Sequence, residues 1–237
     1  MIRLFCSFDF SIGRFDLEDY VREMQVIVSS FDEGGQQVIL GRVAATQVLW
    51  AAAEMDGESL FDICDSNSQG LYEVYRALTN KKGKIRADLK TYEVVDHVIF
   101  VYRIVLHPDL ALYRQGIPES VITLFGHESL AVLWKDTGDF SEAELAELGF
   151  CKIAGEDLIF RHSAFKTPFS ETHPRGQDVD FEATRGHEAW VEEKWGKEEG
   201  RSSSTEPCQA CHHQHPRRHG NVMLVPDLRP AHGGWLV

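Results

Sequence analysis

LHPDLALYRQGIPESVITLF, residues 106–125, decides how the chain is read. It follows an apolar run over residues 98–106, is broken by His107-Pro108 and Gly116, and becomes amphipathic from Pro118 onward. The order predicts a strand, a loop and a helix. Pro118 suits the first helical turn, and Gly116 before it gives the backbone freedom. A loop that delivers a helix N-terminus can hold an anion, because the first amides of the helix have no intrahelical partner and carry the positive end of the macrodipole.

Outward from this stretch the neighbours fall into a consistent order. Residues 92–106 read as a core strand, and the continuous apolar run 98–102 suits a strand covered on both faces. Residues 130–134 form the next strand. Ser141 and Glu144 make a capping box, with Phe140 and Leu145 placed as a hydrophobic staple and Gly149 as the stop. Residues 151–153 and 157–162 then close as a pair of strands. Upstream, MQVIVSS (24–30) and QQVILGRV (36–43) flank a Gly-containing turn, a hairpin signature. The second of these could run on to Trp50, although Ala44, Ala45 and residues 51–53 favour helix. Residues 61–83 read as an apolar segment, a polar turn and a helix capped by Ser66 or Asn67.

Leu106-His107-Pro108, the Gly116 loop, the strand at 130–134 and Leu148-Gly149-Phe150 together resemble the acetyl-CoA-binding core of the GNAT superfamily of N-acetyltransferases. That family writes a strand, a Val/Leu-x-Pro step, a Q/R-x-x-G-x-G/A loop, a helix, a strand, a helix ending in Leu-Gly-Phe, and a last hairpin. Without a gap the loop occupies residues 111–116 and keeps its last Gly. Shifted by two it occupies 113–118 and keeps Gly116 in fourth place. The resemblance covers residues 20–165 and implies an α/β (α+β) fold: a central mixed, mostly antiparallel sheet flanked by helices.

It also implies acetyl-CoA as cofactor and transfer of an acetyl group to a primary amine of a small molecule or protein. The cofactor-binding positions carried over are Leu106 on the strand and Leu112, Tyr113, Arg114, Gln115, Gly116 and Ile117 in the loop. Glu119, in the first helical turn, would oppose a pyrophosphate by charge. The position where family members often place a tyrosine acid is Leu145. Candidate bases are Glu93, Asp96 and His97 at the start of the strand, His107 at its end, and His127-Glu128. The alternative is a protein of the same fold that has lost catalysis and works as a binding or regulatory module.

A net charge of -13 over 237 residues argues against a nucleic-acid surface. No run reaches the length of a membrane span and no signal-peptide core is visible, so the expectation is a soluble, cytoplasmic protein. Five scattered cysteines fit reduced thiols. A homodimer is left open. Domain organisation is expected as residues 1–166, the acetyltransferase-like domain, and 167–237, a polar and largely disordered tail rich in Pro, Gly, Ser, His and charge, with one helical hint at 181–195. In that tail Cys208, Cys211, His212 and His215 could ligate zinc, against a His-rich segment that takes up metal adventitiously.

Overall fold

Residues 98–101 show how the sheet is built, because Val98 and Phe100 point into one hydrophobic cluster and Ile99 and Val101 into another. The two-residue period of a strand thus buries both faces, as the unbroken apolar run predicts. In the computed structural model, which describes residues 3–8, 17–89, 91, 95–111, 113–124, 128–163 and 182–202, this strand is the middle of seven. They are β1 (Arg3–Phe8), β2 (Val21–Phe31), β3 (Gln37–Val48), β4 (His97–Leu106), β5 (Ser129–Trp134), β6 (Cys151–Lys152) and β7 (Leu158–His162).

Their order across the sheet is β1-β2-β3-β4-β5-β7-β6. Every neighbouring pair is antiparallel except β4 and β5, which run parallel. The helices are α1 (Trp50–Asp56), α2 (Leu60–Asn67), α3 (Gln69–Leu78), α4 (Gly116–Leu124), α5 (Glu142–Glu147) and α6 (Arg185–Ser202). The class is α+β, with a mixed, mostly antiparallel sheet flanked by helices. Buried residues of α4 and α5 pack with Val43, Ile99, Val101 and Leu133, while those of α1 to α3 pack with Val98, Phe100, Leu130 and Val132 on the other face.

Local signals explain most boundaries. The β2–β3 turn is closed by Gly35 at φ +74° and by the Asp32 carboxylate, which accepts the Gln36 amide at 2.8 Å. The capping box at α5 has both halves: the Ser141 hydroxyl accepts the Glu144 amide, and the Glu144 carboxylate accepts the Ser141 amide at 2.7 Å. Phe140 and Leu145 are buried in the same cluster, as a staple requires.

Two boundaries are decided by contacts that local sequence does not show. β3 continues through Ala44 and Ala45 to Val48, since pairing to β2 and β4 on both sides outweighs alanine's helical preference. The apolar segment and turn before α3 form a helix of their own, α2, so the cap of α3 is Ser68, whose hydroxyl accepts the Leu71 amide. Residues 1–205 make up a first compact unit that includes α6, and residues 206–237 lie wholly outside the described residues.

Within that first unit α6 docks on β3 and β4. Val191 is fully buried, Arg42 pairs with Glu192 at 2.6 Å, and the buried Arg103 guanidinium stacks 3.8 Å above the Trp195 ring. At the start of α6 the Thr184 amide donates to His187 Nδ1 at 2.9 Å, and the His187 amide donates to the Thr184 carbonyl at 3.1 Å. Few aliphatic side chains are needed when one valine and two cation contacts seat a helix. Among the described residues no helix is long and apolar enough to cross a membrane.

Candidate functional site

The parallel pairing of β4 and β5 begins at His97 opposite Ser129 and ends at Val101 opposite Leu133, but β4 continues to Leu106 along β3. Against β3 the register slips at this point: Ala45 faces Val101 and Ala44 faces Arg103, so Tyr102 is an extra residue in β4. A bulge bends its strand. Pairing of β4 with β5 therefore stops at the bulge, a split in the ladder at the end that leads into the 106–125 stretch. Tyr102 is anchored by a bond from its hydroxyl to Glu23 Oε2 at 3.3 Å, and burial with the nearby Glu23 charge pushes its pKa up to about 12.

The mouth of the split is occupied by protein. After β5 the turn at Thr137–Asp139 brings Gly138 against Ile104, so close that a Cβ at 138 would lie 2.8 Å from the Ile104 Cβ. Below α4 the packing leaves a cavity of about 10 Å³, lined by apolar side chains including Val101, Ile104, Pro118, Val121 and Leu133. That is about the room of one water, with no polar group to hold it.

The carried-over loop positions are tied into this wall. The Tyr113, Arg114 and Ile117 amides donate to Leu110, Ala111 and Tyr113 carbonyls at 2.8, 3.4 and 3.1 Å, so a turn runs continuously into α4. Arg114 lies 4.7 Å above the Phe140 ring and donates to the Gly138 carbonyl at 3.2 Å, and Gln115 donates to Glu147 at 2.8 Å. Gly116 opens α4 and its carbonyl accepts the Ser120 hydroxyl. Ile117 is buried, Leu106 and Tyr113 pack against the same cluster, and Leu112 lies outside the described residues.

Glu119 does not face a phosphate-sized space as a lone negative charge. Its carboxylate makes a two-point ion pair with Arg161 of β7: Nη2 donates to Oε1 at 2.9 Å, and Nη1 donates to Oε2. The Arg161 side chain is 1% exposed and that of Glu119 14%. Leu145, at the position where the resemblance implies a tyrosine acid, is a buried core residue.

The candidate bases are not one constellation. Asp96 and His97 stand at the start of β4, and His97 is four residues, roughly 13 Å, from Val101 at the split. Asp96 is held by its backbone, which donates to Glu128 and accepts from Ala51. Burial holds the His97 pKa below its ordinary value, and its Nδ1 is buried with no hydrogen-bond partner among the described residues. Glu93 and His127 lie outside the described residues, as do Cys208, Cys211, His212 and His215. Among the described candidates His107 alone sits at the split end of β4.

His107 has unforeseen company. Its Nδ1 accepts the Asp109 amide at 3.3 Å, opening the short turn Pro108–Leu110. The His187 ring crosses it edge to face at 4.5 Å between centroids, and Trp190 does so at 5.0 Å. His187 Nε2 lies 3.1 Å from Asp109 Oδ2, which lies 3.6 Å from His107 Nδ1. Burial first, then the neighbouring His187, hold the His107 pKa below its ordinary value, with Asp109 opposing. The sequence signals were His107-x-Asp109 and Thr184-x-x-His187, but nothing local joins two short motifs so far apart along the chain.

No family model, curated protein or solved structure matches the chain.

Proposed function

We propose that this chain is an acetyl-CoA-dependent N-acetyltransferase that acts on a primary amine of a small molecule or a protein. The observation that carries the reading is the split between β4 and β5: two parallel strands that part at the Tyr102 bulge, with the longer one leading through residues 107–115 into the start of α4. With the 137–139 turn moved aside, β4 backbone beyond the last β5 pair would face an extended pantetheine arm, and the start of α4 would receive the pyrophosphate. The order strand, loop, helix, strand, capped helix and closing hairpin adds to it. In the reaction the amine nitrogen attacks the thioester carbon, the C–N bond forms as the C–S bond breaks, and the proton lost by nitrogen ends on the CoA sulfur.

A second reading, a protein of this architecture that binds but does not transfer, is favoured by the contact of Gly138 with Ile104 and by Leu145 in the place of an acid. Release of free CoA thiol from acetyl-CoA, followed with a thiol reagent over a panel of primary amines and basic peptides, separates the two. Amine-dependent release supports transfer. Saturable acetyl-CoA binding with no release for any amine supports the module.

A further inference from the structure

We propose that His107, Asp109 and His187 form a binding site for one divalent transition-metal ion, with zinc the ion that the donor set fits. Two imidazoles and one carboxylate converge from two elements: the turn that follows β4 supplies His107 and Asp109, and the first turn of α6 supplies His187. Their ligand atoms all lie within 4.8 Å of one another. An ion bonded at about 2.1 Å to nitrogen and oxygen donors holds adjacent ligands roughly 3.0 to 3.4 Å apart at octahedral to tetrahedral angles. The distances of 3.1 Å from Asp109 Oδ2 to His187 Nε2 and 3.6 Å to His107 Nδ1 are already close to that range. The side chains need to move little, but His107 Nδ1 would exchange the hydrogen bond from the Asp109 amide for the metal.

The surroundings hold His187 as a metal ligand needs to be held. A coordinating imidazole keeps its metal-facing nitrogen bare by donating its other N–H to a fixed acceptor. For His187 that acceptor is Thr184, whose carbonyl lies 3.2 Å and hydroxyl 2.8 Å from Nδ1. The same residue can instead donate its amide to Nδ1, so both neutral tautomers of His187 find a partner and the switch on metal binding stays local. Trp190 shields the His107 ring, and the two histidine side chains are 15% and 10% exposed. Asp109, at 59%, leaves the outer side open for water or a further ligand. Imidazole donors select zinc and its transition-metal neighbours over calcium or magnesium.

The consequence for the fold is a tie between α6 and the end of β4. It does not depend on acetyl-CoA, and a metal-bound His107 does not offer its lone pair as a base.

The test uses the full chain with Cys208 and Cys211 replaced by Ser and His212, His213, His215 and His219 by Gln, so that those side chains cannot supply the metal ligands. Zinc chloride is titrated by calorimetry after chelator treatment, and cobalt chloride by absorbance. One equivalent of zinc is expected, together with cobalt d–d bands lacking thiolate charge transfer. Removing a partner one shell away from a metal commonly weakens binding by about 10- to 100-fold. Asp109→Asn and His187→Gln should therefore each weaken zinc at least about tenfold. The glutamine side-chain oxygen can accept the Thr184 amide as Nδ1 does, so His187→Gln should keep the metal-free melting temperature. Absence of stoichiometric zinc binding in the tail-substituted chain, or an affinity that either variant leaves unchanged, overturns the site.

Discussion

Glu119 in the first turn of α4 and Arg161 near the end of β7 are joined by two N–H···O contacts between helix and sheet. Removing one member of a buried pair leaves the other charge in the interior, at a cost of about 3–5 kcal/mol. Glu119→Gln should therefore destabilise the protein by several kcal/mol in urea unfolding. Replacing both, Glu119→Leu with Arg161→Met, should recover most of the loss. A single variant within about 1 kcal/mol of the parent would contradict the pairing.

The capping box at α5 makes a prediction in pH. The Ser141 hydroxyl and then its amide hold the Glu144 carboxyl below its ordinary value. Because the folded value is the lower one, the stabilisation is complete above the unfolded value of about 4.5 and is lost as pH falls below it. Ser141→Ala should cost about 1 kcal/mol near neutral pH. That difference should shrink on acidification; a difference that grows would mean the sign is wrong.

The docking of α6 predicts that the domain does not end at 166. Val191→Ala removes two buried carbons, worth roughly 0.8 kcal/mol each before any cavity penalty. Deleting residues 183–237 uncovers Arg103 and the faces of β3 and β4 as well, and should cost more. An unfolding midpoint unchanged by that deletion would show that α6 contributes nothing.

What was legible in the sequence was what nearest neighbours determine. The β2–β3 hairpin, the two-sided β4, the helix after Gly116 and the Ser141 box each rest on residues within a few positions of one another. The alternation that sends Val98 and Ile99 to opposite faces needs no distant partner to be read. The rest depends on partners far along the chain. Glu119 looked like a phosphate-repelling charge until Arg161 lay beside it, and the amides of Tyr113, Arg114 and Ile117 looked free until the loop was found to be a hydrogen-bonded turn. Likewise α6 looked polar because its burial is concentrated in Val191 and in Arg42 and Arg103 on the sheet, and His107 and Asp109 met His187 only through that docking.

Gly138 tests what closes the split. Its φ of +74° and the 2.8 Å approach of an added Cβ to Ile104 make Gly138→Ala strained twice over, at a cost of order 1–3 kcal/mol. The variant should melt lower than the parent. If, as the proposed function has it, the turn at Thr137–Asp139 must move to admit a pantetheine arm, the same variant should gain more from acetyl-CoA than the parent does. A response to acetyl-CoA smaller than the parent's would show that this turn is part of the cradle.

The most direct test of the acetyltransferase reading is the melting temperature of the full chain with acetyl-CoA. A ligand that binds only the native state contributes about 2.7 kcal/mol at a hundredfold excess over its Kd. Acetyl-CoA at millimolar concentration, and free CoA nearly as well, should raise the melting temperature by about 2–4 °C, the range for a chain of this size, while adenosine alone should leave it unchanged. A folded protein whose melting temperature does not move with acetyl-CoA or CoA would contradict the account.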